Sequence, residues 1–300
     1  MLKVAFDPVY VHPLPDGHRF PMEKYDLLPR QLLHEGTLTS NNFFSPVEIS
    51  RKAAELAHDE DYLDRLYNLQ LSPREQRQSG FPHSVSLIRR ERMIMEGTRK
   101  CAELALEFGA AMNIAGGTHH AFSAKAEGFC LMNDQAIAAK WLIEQHAADK
   151  ILIIDLDVHQ GNGTAEIFGS DQNVFTFSMH GRNNYPIRKE RSDLDVELED
   201  GTGDKEYLYA LEMSLENILQ RFQPEFVFYQ CGVDVLLTDR LGKLALTRSG
   251  VKRRDEIVFE IVKQLDIPVV CSMGGGYSQD IREIVEAHAN TFRKAQEILF

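Results

Sequence analysis

The chain has 300 residues, of which 43% are hydrophobic and 26% are charged, and its formal net charge is -12 at pH 7. These values describe an ordinary globular chain, and we expect a single α/β domain over residues 1–300. No apolar run approaches the roughly 18 residues that a membrane helix needs, and the negative charge would repel nucleic acid from most of the surface. The composition therefore argues against membrane insertion and against direct nucleic-acid binding.

The four cysteines, Cys101, Cys130, Cys231 and Cys271, lie far apart and form no CxxC pair. This spacing suggests neither a thiolate zinc site nor a disulfide framework, so a reducing compartment fits best. No long apolar segment follows Met1 that would mark the chain for export. We therefore expect a cytoplasmic protein.

The first third of the chain has helical periodicity. Apolar positions recur at helical spacing near 49–57, 59–70 and 84–109, and Ser84 is a candidate N-cap of the longest segment. Five basic residues of that segment are predicted to form a solvated helix face: Arg89, Arg90, Arg92, Arg99 and Lys100. The patterns predict three helices here, and the basic residues are not expected to bind DNA.

From residue 111 onward, short apolar runs alternate with amphipathic helical stretches. The runs predicted to be strands are Ala111–Ala115, Ile151–Ile154, Val174–Phe177, Phe226–Tyr229 and Val269–Cys271. Strands that alternate with helices favour a central, mostly parallel β-sheet flanked by helices on both faces. We predict an α/β fold of this kind.

Each predicted strand is followed by polar or glycine-rich residues. The five groups are His119-His120, Asp155-Asp157-His159, Ser178-His180, Asp234 and Gly274-Gly275-Gly276-Tyr277. Ligands of open α/β sheets bind at the carboxyl ends of the strands. We therefore expect the five groups to converge on one crevice.

The segment after Ile151–Ile154 is the most informative of these groups. If the strand continued to its end, Asp155, Asp157 and His159 would share one face, because side chains alternate along a strand. Buried carboxylates without partners are costly, so a divalent cation is expected beside them. The alternative is a strand-end cluster satisfied by backbone N–H groups and Arg. Asp234 would be a third ligand, leaving a coordination position free as in catalytic metal sites.

Two further groups have residue types suited to acid–base chemistry. His119 and His120 follow two glycines, and an imidazole with a pKa near neutrality can accept a proton from a water molecule. Asp155 could orient one of these imidazoles. The alternative is that His119 and His120 lie in an ordinary surface loop without a catalytic role. Tyr277 follows three glycines, and its O–H would suit the stabilisation of a developing oxyanion.

Six segments resemble the histone deacetylase family in order and approximate spacing: GGTHHA, GFCLMND, DLDVHQGNGT, FSMH, GVD with DRLG, and GGGYS. The resemblance covers residues from about 10 to 290. Asn162 stands where class I members carry an Asp, and the loop 239–242 is similar to its class IV counterpart. The chain therefore resembles the class IV branch and its bacterial relatives.

The resemblance implies an arginase/deacetylase-like fold and the hydrolysis of acyl-lysine amides, acetyl or longer, by a metal-activated water. The implied zinc ligands are Asp157, His159 and Asp234, and the implied catalytic residues are His119, His120, Tyr277, Asp155 and Asn162. The implied substrate-binding residues are Gly128, Phe129, Leu241 and Gly275. A structural K+ is implied near Asp155, Asp157, His159 and Ser178.

Three details qualify this expectation. A neutral amide at Asn162 would raise the pKa of His120 less than a carboxylate would, which favours the unprotonated base. The loop 181–186 lacks the usual aromatic wall residue, for which Tyr185 is a candidate substitute. Leu241 is apolar where polyamine-preferring members carry an acidic residue, which argues against a polyamine substrate.

Other functions remain open from the sequence. The substrate could be an acylated lysine of a protein or peptide, or a small acylated amine. A non-catalytic acyl-lysine binding module is the main rival, although such a module would not need His119, His120 and Tyr277 together. A ureohydrolase with two manganese ions would need additional carboxylate and His ligands that the sequence does not supply.

Overall fold

The fold is built on one sheet of eight parallel strands. The computed structural model describes all residues, 1–300. The strands are β1 (Lys3–Ala5), β2 (Phe43–Phe44), β3 (Ala110–Asn113), β4 (Ile151–Asp155), β5 (Val174–Gly181), β6 (Leu194–Leu198), β7 (Phe226–Gln230) and β8 (Val269–Ser272). Their order across the sheet is β2-β1-β3-β8-β7-β4-β5-β6. The predicted parallel α/β architecture is confirmed.

Ten α-helices cover the sheet: α1 (Lys24–His34), α2 (Arg51–Ala54), α3 (Glu60–Tyr67), α4 (Pro73–Ser79), α5 (Val85–Phe108), α6 (Asp134–Glu144), α7 (Asn162–Phe168), α8 (Asp204–Arg221), α9 (Arg248–Leu265) and α10 (Ile281–Leu299). Helix α5 packs on α6, β1, β3 and β8, whereas α9 packs on α8 and α10, and α10 on α1. None of these helices has both the length and the apolar character needed to cross a membrane.

The central strands are buried along their whole length, because helices cover the sheet and both faces must be apolar. Side chains from these strands and from the packed helices form one contiguous core of 79 buried residues. The register places Asp155 beside Gln230 and Ser178, so β4 and β7 end level, whereas β5 continues to Gly181. Level strand ends put the loops that follow them at one edge of the sheet.

The predicted elements are recovered with shifted bounds. The segment 49–57 contains only the four-residue α2, while 59–70 contains α3. Ser84 caps α5, since its hydroxyl accepts a hydrogen bond of 3.1 Å from the Leu87 N–H. The sequence patterns missed β1, β2 and β6, which are short or lie at or near a sheet edge. Side chains near an edge are less constrained to be apolar, so such strands have a weaker sequence pattern.

The predicted solvated basic face of α5 is wrong at Arg90. That side chain is 3% exposed, donates a 2.7 Å hydrogen bond from Nε to the Tyr10 carbonyl, and pairs with the buried Glu91. Arg99 is also mostly covered and is paired with Glu96. The helix is packed more deeply at Arg90 and Arg99 than its charge pattern indicates, whereas Arg89 is exposed as predicted.

Candidate active site

The carboxyl ends of β3, β4, β7 and β8 supply the residues of one crevice. The strands β8, β7 and β4 are direct neighbours, so the loops that follow them meet above the sheet. A cavity at this edge is lined by residues from three of the five predicted groups, among them His119, His120, Asp157, His159 and Tyr277. Asp234, from a fourth group, lies beside Asp157 and His159, whereas Ser178 and His180 do not line the cavity. The predicted convergence is therefore observed for four of the five groups.

Asp157, His159 and Asp234 form a cluster whose ligand atoms all lie within 4.8 Å of one another. The Nδ1 atom of His159 is 3.0 Å from Asp157 Oδ1 and 3.1 Å from Asp234 Oδ2. The other carboxylate oxygens accept backbone hydrogen bonds, Asp157 Oδ2 from the Gly275 N–H (2.8 Å) and Asp234 Oδ1 from the Val158 N–H (2.9 Å). One oxygen of each carboxylate thus faces the imidazole and could ligate an ion.

The local chain path differs from the expected alternation. Strand β4 ends at Asp155, and the backbone then leaves the sheet, so Asp157 and His159 reach the site from a loop. Asp155 Oδ1 accepts a hydrogen bond of 3.2 Å from the Asp157 N–H, which fixes the first turn of that loop. The three residues come together by a turn, not by the period of a strand.

The electrostatics of the cluster suit a cation. Burial and the neighbouring Asp157 raise the pKa of Asp234 to about 7. Neither carboxylate pairs with Arg or Lys, and their only ion-pair partners are His119 and His159. Of the alternative, satisfaction by backbone N–H groups and Arg, the backbone part is present, since one oxygen of each carboxylate accepts a backbone N–H hydrogen bond, and the Arg part is not. Two buried carboxylates and one imidazole, each with an atom left for ligation, fit a divalent metal ion.

His119 and His120 have different partners. The Nδ1 of His119 is 2.6 Å from Asp155 Oδ2, and the Nδ1 of His120 is 2.6 Å from Asn162 Oδ1. Burial lowers the pKa of His119, but the carboxylates of Asp155 and Asp157 outweigh it and raise that pKa to about 9. Burial and the two neighbouring imidazoles, His119 and His159, hold the pKa of His120 well below its usual value. At neutral pH His119 is charged and His120 is neutral.

Tyr277 is held in place by Asp239, the first residue of the DRLG motif, to which the sequence assigned no role. The carboxylate of Asp239 accepts hydrogen bonds from the backbone N–H groups of Tyr277 (2.6 Å), Leu241 (2.8 Å) and Gly242 (2.9 Å). Burial, with the negative charges of Asp234 and Asp157, raises the pKa of the Tyr277 phenol well above its usual value. The phenol therefore stays protonated and can donate a hydrogen bond.

A cavity of about 290 Å³ leads from the surface to this cluster. Its inner walls are formed by His120, Gly128, Phe129, His159, Tyr185, Leu241 and Tyr277. The Tyr185 ring lies 5.1 Å from the ring of His120 and lines the cavity, so it provides the aromatic wall residue that the sequence left open. Gly128, Phe129 and Leu241, which the resemblance implies as substrate-binding residues, line the same cavity.

Two glycines are required by close approach. A side chain at Gly275 would place its Cβ 1.9 Å from Asp234 Oδ2, and one at Gly128, whose φ is +55°, would meet the His120 ring at 2.6 Å. The backbone must therefore pass close to the site at both positions. Gly275 lies below the cluster, in the smaller inner cavity, where its N–H also anchors Asp157.

The histone deacetylase domain family matches residues 18–292 of the chain. The chain belongs to the histone deacetylase family. It is 44% identical to an uncharacterized protein of Picosynechococcus sp. over 295 residues, which is 98% of each chain. It is 31% identical to histone deacetylase 2 of Arabidopsis thaliana, covering 89% of this chain and 72% of the relative.

Solved structures of the family have the same fold. A histone deacetylase homologue crystallised in complex with SAHA is 26% identical, with a TM-score of 0.85, covering 99% of this chain and 84% of the other. A homologue from Aquifex aeolicus is also 26% identical, with a TM-score of 0.84 and coverage of 99% and 88%. The deacetylase-like fold expected from the sequence motifs is thereby confirmed.

Two residues near the deacetylase site were missed by sequence reasoning. Lys24 is fully buried, donates a 2.9 Å hydrogen bond to the Gly274 carbonyl, and lies over the Tyr277 ring at 5.8 Å. Burial lowers the pKa of its ammonium to about 8. Glu127 lies beside the cavity wall and contacts Asn162 and Tyr185. Neither lies at a predicted strand end, so no sequence signal distinguished them.

Proposed function

We propose that the chain is a zinc-dependent amidohydrolase that removes acyl groups from lysine side chains of proteins or peptides. The observation that carries the proposal is that His120 and Tyr277 line one cavity beside the cluster Asp157, His159 and Asp234, with pKa shifts that favour a neutral imidazole and a protonated phenol. Amide hydrolysis needs a base for water, a donor for the carbonyl oxygen and an acid for the leaving amine.

Asp157, His159 and Asp234 would hold the zinc ion. When bound, zinc acts as a Lewis acid that lowers the pKa of water and polarises the amide carbonyl. Oxygen ligation with one imidazole also admits iron, so metal analysis of the purified protein belongs in the test. A monovalent cation near Asp155, Asp157, His159 and Ser178 stays a prediction.

Each step of proton transfer has a residue in place. His120, neutral and hydrogen-bonded through Nδ1 to Asn162, takes a proton from water at its free Nε2 as the oxygen attacks the carbonyl carbon. Tyr277 donates its phenol proton in a hydrogen bond to the developing oxyanion. The imidazolium of His120 then protonates the lysine nitrogen, and the C–N bond breaks to give the amine and a carboxylate.

His119 has a different role in this scheme. Asp155 and Asp157 raise its pKa to about 9 against the effect of burial, and the Asp155 carboxylate, 2.6 Å from Nδ1, favours the positively charged ring at neutral pH. A fixed positive charge beside His120 and the reacting oxygen stabilises negative charge in the transition state. It also keeps the pKa of His120 low, so that the base is unprotonated at the start of the cycle.

The cavity supports an acylated, extended side chain as the substrate. Phe129 and Tyr185 form two aromatic walls between the surface and the cluster, and Leu241 provides an apolar edge. Such a passage suits the methylene chain of lysine, and the absence of an acid at Leu241 disfavours a polycationic amine. Since a homologue of this fold binds SAHA, we expect SAHA to bind here as well. The four free, buried cysteines are consistent with the proposed cytoplasmic location.

The test compares lysine peptides bearing acetyl, octanoyl and myristoyl groups and a small acylated amine, each with the zinc-loaded and chelator-treated protein. We expect zinc-dependent release of free lysine and loss of turnover in His120→Ala, with the exposed His34→Ala as a matched control. Binding of an acyl-lysine peptide without turnover would favour the binding-module alternative. Turnover of the small amine alone would assign the activity to that substrate class.

A further inference from the structure

A chain of hydrogen bonds connects the proposed base to a carboxylate outside the site. His120 Nδ1 lies 2.6 Å from Asn162 Oδ1, and Asn162 Nδ2 lies 3.4 Å from Glu127 Oε1. The Tyr185 hydroxyl donates to the same oxygen of Glu127. The other oxygen, Oε2, faces the Lys125 ammonium at 2.9 Å. Both oxygens of Glu127 therefore have assigned partners.

The orientation of the Asn162 amide decides which nitrogen of His120 carries the proton. With Oδ1 toward the ring, Nδ1 must be the N–H, and Nε2 has the free lone pair. With the amide turned over, Nδ2 would donate to Nδ1, and the proton would move to Nε2. Only the first tautomer leaves Nε2 able to accept a proton from water.

Asn162 by itself does not choose between these orientations, because its two amide ends are nearly the same size. It is 2% exposed, and its Nδ2 has no protein partner other than Glu127. An ionised carboxylate can only accept hydrogen bonds, so it attracts Nδ2 and repels Oδ1. Turning the amide over would set two acceptor oxygens against each other, which disfavours the second tautomer even at a separation of 3.4 Å.

We propose that Glu127 is a positioning residue that locks the Asn162 amide and, through it, holds His120 in the tautomer protonated on Nδ1. The same carboxylate holds the Tyr185 hydroxyl and so fixes the second aromatic wall of the cavity. The catalytic consequence rests on the proposed function, whereas the tautomer is a property of the protein that can be measured without substrate.

The decisive experiment is 15N NMR of zinc-loaded protein labelled at histidine nitrogens, with the His120 signals assigned from a His120→Gln spectrum. Wild type is expected to give the Nδ1–H tautomer, Glu127→Gln to retain it through its carbonyl oxygen, and Glu127→Ala to give a mixture. Lys125→Ala is the matched control, since it removes only the partner of Oε2. A pure Nδ1–H tautomer in Glu127→Ala would overturn the proposal whether or not the protein turns over any substrate.

Kinetics separate the two contacts of Glu127. We expect Glu127→Ala to lower kcat about tenfold, a part of what a general base contributes, with Glu127→Gln close to wild type. Tyr185→Phe keeps the ring but loses the hydroxyl, so it should change KM more than kcat. Equal kcat losses in Glu127→Ala and Tyr185→Phe would assign the effect to the cavity wall and contradict the tautomer lock.

A second, independent observation concerns the outer opening of the cavity. Arg19 and Arg77 both line it, and both are exposed. Neither takes part in any ion pair or side-chain hydrogen bond, although the chain has an excess of carboxylates and many of its other arginines are paired. Glu127, which contacts the cavity-lining Tyr185, is already engaged by Lys125 and Tyr185.

We infer that the substrate presents negative charge next to the acylated lysine, in the form of an acidic peptide segment. Two guanidinium groups at the opening can bind carboxylates in charge-assisted pairs. This inference rests on the proposed function and narrows its substrate class. Because the two arginines are solvent-exposed, the attraction must weaken as salt is added.

The test uses acyl-lysine peptides that differ only in flanking Glu, Gln or Lys residues, with both turnover and binding by fluorescence anisotropy measured. We expect the Glu peptide to be preferred about threefold to tenfold at low salt, as for exposed ion pairs. The preference should disappear in Arg19→Gln/Arg77→Gln and persist in Arg74→Gln, the matched control on the same helix α4. Equal binding of all three peptides would overturn this inference. If all three peptides were also hydrolysed at the same rate, the proposed function would still hold.

Discussion

His119 and His120 are adjacent in the chain but differ in the group that faces their Nδ1 atoms. In each pair an oxygen lies 2.6 Å from the Nδ1 atom, but it belongs to a carboxylate beside His119 and to an amide beside His120. The pKa of His119 is raised to about 9, because Asp155 and Asp157 outweigh burial, whereas burial and the neighbouring imidazoles lower that of His120. The substitution Asn162→Asp would give His120 a carboxylate in the position that Asp155 occupies at His119.

An opposite charge at hydrogen-bond distance raises a histidine pKa by about 1 to 3 pH units. The base works in its neutral form, so the rate falls as the pH drops through the pKa of His120. Raising that pKa moves the acidic limb of kcat/KM to higher pH by a similar amount. At a pH below both limbs, the variant should lose about tenfold in rate for each pH unit of the shift.

The assay is the pH dependence of kcat/KM for one acetyl-lysine peptide, measured on zinc-loaded protein. Asn183→Asp, an exposed substitution with the same change in net charge, is the control and should leave the limb in place. An acidic limb that does not move in Asn162→Asp would refute the role given to Asn162.

Three further changes test the metal cluster and its surroundings. Asp234→Asn should abolish stoichiometric zinc binding in an elemental assay while near-ultraviolet circular dichroism stays native, and retained zinc would contradict the assigned ligand set. Tyr277→Phe should lower kcat by about 10² to 10³ with little change in KM, as for the loss of one oxyanion donor, and a pure KM effect would argue against that role. Gly275→Ala places a methyl group 1.9 Å from Asp234 Oδ2, so both the melting temperature and zinc content should fall. Gly203→Ala, whose methyl meets nothing closer than 3.8 Å, should affect zinc content little.

The central strands were predictable because burial on both faces demands apolar side chains. β4 and β7 are the clearest examples, and their predicted bounds lie within one residue of the observed ones. Edge strands such as β6 contain alternating polar residues and pair with only one neighbouring strand. They are less buried, so their sequence contains no comparable apolar run. The cap of α5 at Ser84 was predictable for a local reason, since a hydroxyl satisfies an otherwise free N–H within three residues.

The chemistry of the site was also visible in the sequence where residues follow buried strands. Asp157, His159 and Asp234 stand out because charged groups after an apolar strand need a partner. Lys24 and Glu127 also contact residues of the site but stand in segments that contain other charges. Their partners lie up to 250 residues away in the chain, and no local pattern encodes such contacts.

The sequence by itself determined the parallel α/β class, the family and the set of residues at the strand ends, because these depend on local periodicity and on motif order. Only the tertiary structure decided that Asp157 and His159 meet Asp234 through a turn, that Tyr185 closes the cavity, and that Arg90 is buried. It also decided that two histidines adjacent in the chain have opposite shifts in pKa. The physical reason is that burial and charge act through space, so the state of a side chain depends on neighbours brought to it by folding.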